Sequence, residues 1–235
     1  MIKPSHQLDL ARQVTKRLQD YFEIPGWGDP RPPLDELVCT ILSQNTNDMN
    51  RDRAYTRLRN RFPTWEEVRD ADEKAIVDAI RPAGLANQKG PRIKSILREI
   101  TQERGNLDLT FLKEMSTQEA GKWLSGFKGV GPKTTAIVLL FSLDKPAFPV
   151  DTHIYRVSGR LGLRPEKMTV EQAHVHLASL FPEDEYGTAH LNLIRLGREI
   201  CTARKPDCPE CPLQDICEYY QSGIAAENLQ TAEKK

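Results

Sequence analysis

A lysine follows a glycine-rich turn near the middle of the chain. The segment GFKGVGPKTTAIVLL, residues 126–140, has three glycines in six positions, then Lys133 and an apolar run typical of a helix. Glycines such as Gly129 and Gly131 let a backbone approach a ligand closely, and free amides at a helix start can bind a phosphate. The segment is too short for a Walker A loop, which has four residues between its first glycine and Gly-Lys. The pattern predicts a helix–turn–helix unit that grips a backbone phosphate, with a plain interhelical turn as the alternative.

Lys133 occupies a position that suits a nucleophile. A cation in the first turn of a helix meets the positive end of the helix dipole, which costs little when the lysine is solvated. Burial and neighbouring positive potential both favour the neutral amine, and a neutral lysine can attack a carbon atom. Lys133 is therefore a candidate nucleophile, and a lysine that only contacts phosphate is the alternative.

A carboxylate stands before the next helical pattern, in AFPVDTHIYRV, residues 147–157. Asp151 is placed to cap that helix, and capping does not exclude chemistry. A fixed carboxylate can activate an amine, or stabilise positive charge on a sugar ring while a bond breaks. His153 and Arg156 follow beside the same helix start, where either can orient Asp151 or contact phosphate.

Four cysteines lie within a short C-terminal segment, with gaps of six, two and five residues: Cys201, Cys208, Cys211 and Cys217. So many thiols in so short a span indicate a metal site in a reducing compartment. Zinc sites usually have two separated CxxC pairs, whereas a compact set with one CxxC suits a [4Fe–4S] cluster. The spacing favours iron–sulfur over zinc, although both metals accept four thiolates.

Three other residues have simpler interpretations. Arg204 and Lys205 lie in the first loop of the cysteine segment, where they either face DNA or are solvated loop charges. Cys39, in the apolar stretch LVCTIL, is expected to be a small buried hydrophobic residue.

The elements that must position these residues all follow a helical pattern, and no alternating strand pattern or hairpin signal is present. The sequence therefore predicts an all-α fold, with Thr64 and Asp72 as helix caps. The predicted helices are 6–22, 34–44, 50–62, 64–80, 89–104, 116–127, 133–143, 152–161, 169–181 and 186–201.

The composition is that of a soluble globular protein of one or two domains: 235 residues, 39% apolar, 28% charged and a formal net charge of zero. The longest apolar run, AIVLLF at 136–141, is too short to span a membrane, and the N-terminus lacks the apolar core of a signal peptide. We predict a cytoplasmic, nucleoid-associated protein. Basic segments such as 51–61 and 156–164 predict a local patch for a polyanion.

Together, the motifs GFKGVGPKT, PVDTHIYRV and C-x6-C-x2-C-x5-C resemble endonuclease III, a helix-hairpin-helix DNA glycosylase with an attached abasic-site lyase activity. The resemblance covers roughly residues 30–220. It implies two helical lobes with DNA in the cleft: a barrel domain containing the hairpin at 28–143, and an iron–sulfur domain made of 1–27 plus 144–222. The polar segment 223–235 is expected to be a flexible tail.

The resemblance also implies a reaction and its partners. Lys133 is the nucleophile, Asp151 is its essential acidic partner, and the four cysteines hold a [4Fe–4S] cluster that is structural or senses DNA. The substrate is double-stranded DNA with a damaged base, an oxidised pyrimidine first of all, or with an abasic site. The base is extruded before the attack on C1′, and β-elimination then nicks the strand. Nothing in the sequence requires a dimer.

One segment departs from the endonuclease III pattern. ILSQNTND, residues 41–48, stands where that family reads closer to LSAQATD, with a glutamine as the wedge that fills the gap left by the flipped base. Here Asn45 falls at the wedge position and Gln44 precedes it. This SQN segment looks more like those of plant 5-methylcytosine glycosylases and of 8-oxoguanine glycosylases. Leu85 matches the leucine of the second intercalating loop.

The wedge segment does not determine which base is removed. A mismatched thymine or uracil, a methylated cytosine and an oxidised purine are alternatives within the same fold. A non-catalytic DNA-binding protein is the alternative from another class, and it has no need of the pair Lys133 and Asp151.

Overall fold

The computed structural model describes residues 4–23, 26 and 28–223, and its regular structure is helical throughout, with no strand in these ranges. The all-α prediction is confirmed. The helices are α1 (Pro4–Phe22), α2 (Pro33–Ser43), α3 (Asp48–Arg61), α4 (Trp65–Asp70), α5 (Glu73–Ile80), α6 (Ala86–Arg104), α7 (Thr117–Ser125), α8 (Pro132–Ser142), α9 (Thr152–Leu161), α10 (Val170–Ala178), α11 (Tyr186–Glu199) and α12 (Glu218–Gln221). Within the described part of the chain, no helix has both the length and the apolar character needed to cross a bilayer.

The tertiary contacts divide the chain into two units, Asp29–Lys145 and Met1–Gly28 with Pro146–Lys235. We refer to them as the hairpin unit and the cysteine unit. Residues 224–235, which form most of the predicted flexible tail, lie outside the described residues.

In the hairpin unit, α2 is the central helix and packs against α8, α3 and α6. Its apolar run LVCTIL is the reason, because Leu37, Ile41 and Leu42 are all 0% exposed. Cys39 in the same run is also buried, and burial raises the pKa of its thiol to about 11. The interpretation of Cys39 as a small core residue is confirmed.

In the cysteine unit, α11 packs against both α1 and α9. The Asn192 amide, buried in α11, donates hydrogen bonds to the carbonyls of Leu18 and Glu23 and so joins the end of α1 to α11. The ring nitrogens of His174 and His190 lie 3.1 and 2.9 Å from carbonyls in the segment that leads to α9. These histidines therefore have a structural role in the cysteine unit.

The single helix predicted for 64–80 is wrong, since two helices occupy it. Thr64 begins α4 with a capping box in which Glu67 reciprocates, and α4 ends at Asp70. Ala71 is extended, with φ −61° and ψ 156°, and Asp72 then occupies the N-cap position of α5 without a side-chain capping bond. Two start signals close together therefore interrupt the helix. In addition, α6 begins at Ala86, earlier than predicted, and includes Pro91.

Candidate functional site

The predicted helix–turn–helix unit is formed by α7, the loop 126–131 and α8. Gly129 has a φ of +85°, the left-handed region that glycine adopts without strain, and the amide of buried Val130 donates to the Phe127 carbonyl at 3.0 Å. Pro132 is the first residue of α8, and the Thr135 amide is the one that bonds the Gly131 carbonyl. The amides that precede Thr135 lie at the open N-terminus of α8, where they can bind an anion.

Lys133 is in the first turn of α8, directly after this loop, and is half-buried. The residues that follow it, Thr134 to Ala136, are buried. The first turn of α8 is therefore packed in the hairpin unit, and this packing fixes the backbone of Lys133.

A hydrogen-bonded chain links the glycine loop to two other segments of the hairpin unit. Gln44, the residue that follows α2, donates from its Nε2 atom to the Gly129 carbonyl at 3.3 Å. Arg92 in α6 donates from Nη1 to Gln44 Oε1 at 2.9 Å. Gln44 thus links the hairpin loop to α6, and a contact of Gln44 with DNA stays a prediction. Arg92 was missed by sequence reasoning, because only its basic surroundings distinguish it in the sequence.

Asn45 and Leu85 are exposed and share an uncommon backbone conformation. Asn45 has a φ of 53°, and Leu85 has a φ of 48° as the N-cap residue of α6. Leu85 is 47% exposed. A left-handed conformation costs a non-glycine residue about 1–2 kcal/mol, least for asparagine. Such strain is concentrated at functional sites, so both residues are candidates for contact with a ligand.

In the cysteine unit, Asp151 is the N-cap residue of α9, as predicted. Its Oδ1 atom accepts a hydrogen bond of 2.8 Å from the Ile154 amide. The carboxylate is only partly buried, so its second oxygen is not needed for the cap. Lys133 and Asp151 belong to different units of the chain.

Arg156 contacts the start of the cysteine segment, and His153 contacts Arg156. Arg156 donates from Nη2 to the carbonyls of Gly197 and Cys201 at 2.7 and 3.0 Å, and the same nitrogen lies 3.3 Å from Nδ1 of His153. These bonds hold α9 against the residue that begins the cysteine segment. Phosphate contacts by His153 and Arg156 stay a prediction.

The four cysteine side chains line one partly open cavity, together with apolar residues of α9 and α11. Arg160 in α9 donates to the Cys201 sulfur at 3.2 Å, and its other bonds go to the carbonyls of Thr202 and Ala203. Burial raises the pKa of the Cys211 thiol to about 11. Arg204 and Lys205 are exposed in the adjoining loop.

The arrangement of these thiols can be compared with the two metals that the spacing left open. All four thiols line one cavity, which suits the donor set of a polynuclear cluster. The donor set and its cavity therefore fit a [4Fe–4S] cluster.

Comparison with family models gives two matches. Residues 38–183 match the HhH-GPD superfamily of base excision DNA repair proteins. Residues 201–217 match the iron–sulfur binding domain of endonuclease III, which confirms the predicted cofactor. The first match covers more than half of the chain.

Individual relatives agree with these matches. Endonuclease III of Thermotoga maritima is 34% identical over 91% of this chain and 92% of its own length. A candidate DNA glycosylase of Arabidopsis thaliana is 44% identical over 64% of this chain, which spans only 52% of that protein. Among solved structures, an endonuclease III–DNA covalent intermediate has the same fold, with a TM-score of 0.79, 24% identity, and coverage of 95% of this chain and 100% of the other.

This chain matches endonuclease III over almost its whole length. It combines the hairpin and its lysine, the aspartate that caps α9 and the cluster-binding segment. The chain therefore belongs to the endonuclease III family, within the HhH-GPD superfamily of base excision DNA repair proteins, and is an endonuclease III-like DNA glycosylase that contains a [4Fe–4S] cluster.

Proposed function

We propose that this protein is a bifunctional DNA glycosylase and abasic-site lyase, with Lys133 as the nucleophile, Asp151 as its acidic partner and an oxidised pyrimidine as the base removed. One observation carries the proposal. A single family match, residues 38–183, contains both a lysine in the first turn after the glycine loop and an aspartate at the N-cap of α9. The endonuclease III structure of the same fold is a trapped covalent intermediate with DNA, which is the chemistry that a lysine nucleophile produces.

The proposed reaction begins with extrusion of the damaged nucleotide, because C1′ cannot be reached within the base stack. The neutral Lys133 amine forms a bond to C1′. The bond from C1′ to the base breaks, and the base leaves with the electron pair and takes up a proton. The nitrogen gives up a proton, the C1′–O4′ bond breaks and O4′ takes up a proton, so that the sugar ring opens and the lysine is joined to C1′ as a protonated Schiff base. Loss of a proton from C2′ and departure of the 3′ phosphate cleave the strand by β-elimination.

The part assigned to Asp151 is electrostatic. The hydrogen bond from the Ile154 amide fixes Oδ1 of Asp151 at the start of α9, and the carboxylate remains partly exposed. It accepts a proton from the attacking amine, or stabilises the positive charge that develops on the sugar. The cluster is assigned no part in this step, and it contributes structure to the segment 201–217.

DNA binding is assigned to both units. The open amides of α8 and the loop glycines Gly129 and Gly131 bind a backbone phosphate, which the free space beside Gly131 supports. Asn45 and Leu85 enter the duplex, which their exposure and left-handed conformation support. Arg204 and Lys205 are exposed and add phosphate contacts. Binding therefore weakens as salt concentration rises.

The setting follows from this activity. A protein that repairs DNA works where the DNA is, so we assign it to the cytoplasm in association with the nucleoid. One chain carries every residue that the reaction uses, so we assign a monomer as the active form. The partner is double-stranded DNA that contains a damaged base or an abasic site.

Borohydride trapping tests the proposal. The protein is incubated with a duplex that contains one abasic site, and borohydride reduces any Schiff base to a stable covalent adduct. We expect an adduct with the wild type and none with Lys133→Gln. Lys128→Gln is the matched control, because Lys128 is an exposed lysine of the same loop, and it should still give the adduct. If the wild type forms no adduct with any of a broad panel of lesions, the lyase function is wrong.

A panel of duplexes with one lesion each then identifies the base. Thymine glycol is expected to be released fastest. Faster release of a mismatched thymine or uracil, a methylated cytosine or an oxidised purine would show that the substrate assignment is wrong while the enzyme class is right. Repeating the panel with each of the four opposite bases shows whether the enzyme prefers one base opposite the lesion.

A further inference from the structure

The whole side chain of Lys89 lies inside the protein. Lys89 is 1% exposed and stands in the first turn of α6. Its ammonium donates hydrogen bonds of 2.8 Å to two backbone carbonyls, those of Leu42 and Ala83. A lysine is seldom buried completely, and a buried cation is costly unless its donors are satisfied. The buried ammonium therefore has a structural role, unlike a lysine on the surface, whose charge is solvated.

Both carbonyls are at the ends of helical segments. Leu42 is the last residue but one of α2, so its carbonyl has no donor within that helix. Ala83 is the last residue of the short 3-10 helix Arg81–Ala83. The C-terminal end of a helix carries partial negative charge and attracts cations. One ammonium thus binds two helix ends in the hairpin unit and holds them together.

The residue proposed to enter DNA follows closely after each of these ends. Asn45 comes three residues after Leu42, and Leu85 comes two residues after Ala83. Both are exposed, and both have positive φ, at 53° and 48°. Sparsely populated conformations of this kind persist only where surrounding structure fixes them. The shared contact at Lys89 is a structural element that acts on both segments.

We propose that Lys89 is a positioning residue that holds the segments of Asn45 and Leu85 at one separation, so that both enter the duplex together. The proposal rests on the proposed function, because it concerns how that activity reaches a base within a duplex. Lys89 itself does not contact DNA, since its side chain is enclosed by protein. Without the ammonium, the two segments are free to move independently, and insertion becomes less effective.

The test compares two substrates that differ only in the need for insertion. The variant is Lys89→Met, which keeps an unbranched side chain but has no donor. The measurement is the rate of strand cleavage at an abasic site in a duplex, and at the same site in a single strand. A single strand has no partner bases to separate, so it needs no wedge. We expect the duplex rate to fall about 10- to 100-fold and the single-strand rate to change less than about twofold.

Lys145→Met is the matched control. Lys145 also donates to two carbonyls in the same unit, those of Lys113 and Met115, at the end of another 3-10 helix. Both rates should stay within about twofold of the wild type, because these contacts lie outside the two wedge segments. A wild type that cleaves neither substrate contradicts the proposed function. An equal loss on both substrates with Lys89→Met, or no loss on the duplex, contradicts the positioning role alone.

Two further measurements keep the test decisive. Circular dichroism and the visible absorbance of the cluster establish that each variant is folded. If Lys89→Met does not fold, Lys89→Gln, which retains one amide donor, is used in the same comparison and should show a smaller loss of the same kind.

In a double-mutant cycle with Leu85→Ala, the combined loss on the duplex should be smaller than the product of the single losses, because both changes act through Leu85. Losses that multiply would contradict the proposal.

Discussion

The side chain of Arg92 fills the space that a side chain at Gly129 would need. An ideal Cβ atom at position 129 would lie 2.6 Å from both Cδ and Cζ of Arg92, closer than real Cβ contacts. The same guanidinium donates to Gln44, whose amide donates to the Gly129 carbonyl. The glycine therefore permits both the turn and the approach of the arginine that supports it.

This relationship predicts the effect of Gly129→Ala. Alanine at a φ of +85° is strained, and its methyl group displaces Arg92 and breaks the bond to Gln44. We expect the free energy of unfolding to fall by about 1–3 kcal/mol, measured by urea denaturation. The affinity for an abasic duplex should fall as well, because the hairpin loop loses its support.

Gly131→Ala is the matched control for that prediction. Gly131 is extended, with a φ of −95°, and no atom lies within 4 Å of an added Cβ. Stability should change by less than about 0.5 kcal/mol. DNA affinity should nevertheless fall, since the new methyl group occupies space that a phosphate needs. If Gly131→Ala destabilises the protein as much as Gly129→Ala, the role assigned to Arg92 is wrong.

Asp151 has two functions that one substitution can separate. Asparagine caps a helix about as well as aspartate, so Asp151→Asn should retain the bond from the Ile154 amide and change stability by less than about 1 kcal/mol. It removes the carboxylate, so the rate of adduct formation should fall about 10²- to 10⁴-fold. Asp151→Ala loses the cap as well and should cost about 1 kcal/mol more. Equal rates for Asp151→Asn and the wild type would exclude a catalytic carboxylate.

The sequence predicts the helices well because apolar residues recur at helical spacing in each of them. It fails at 64–80, where the apolar pattern continues across Ala71 although the backbone does not. The pattern shows which residues face the core, but it does not show that a helix stops and starts again with the same face inward. A break of this kind is predicted only when a helix-capping residue inside the apolar pattern is taken as the start of a new helix.

The motif residues were also readable from sequence, because lysine, aspartate and cysteines recur at characteristic spacings. Lys89 was not. It stands in the basic segment QKGPRIK, where a lysine is ordinarily solvated, and one of its partners is a carbonyl 47 residues away in the chain. Backbone carbonyls have no sequence signature, so a lysine that binds them cannot be distinguished before the fold is known.

Leu85 is expected to show a conflict between stability and activity. Leucine at a φ of 48° is strained, whereas asparagine tolerates this region and is a good N-cap residue. Leu85→Asn should therefore raise the free energy of unfolding by about 1 kcal/mol. Its duplex cleavage rate should fall, because a polar side chain is a poorer wedge between stacked bases. A variant that is less stable than the wild type would show that the conformation of Leu85 is not strained.

Arg160 should govern how firmly the cluster is held. It donates to the Cys201 sulfur and to two carbonyls of the first cysteine loop, and its guanidinium lies 4.7 Å from the centre of the Tyr219 ring. Groups that support metal ligands in this way typically contribute 10- to 100-fold to affinity. Loss of the visible absorbance in the presence of an iron chelator should be about 10-fold faster with Arg160→Gln. Arg204→Gln, an exposed arginine of the same loop, is the control and should match the wild type.

Lys89 predicts a specific dependence of stability on pH. Burial and the nearby Arg92 lower the pKa of the Lys89 ammonium to about 8, from an ordinary value of 10.5. Below pH 8 both the folded and the unfolded chain hold this proton, and above pH 10.5 neither does. Between these values the unfolded chain holds a proton that the folded chain has lost, so this residue makes the folded state more stable as pH rises. The difference in unfolding free energy between the wild type and Lys89→Met should therefore shift towards the wild type by about 1–3 kcal/mol across that range. A difference that stays constant with pH would mean that the ammonium is not held in the protein as the structure describes.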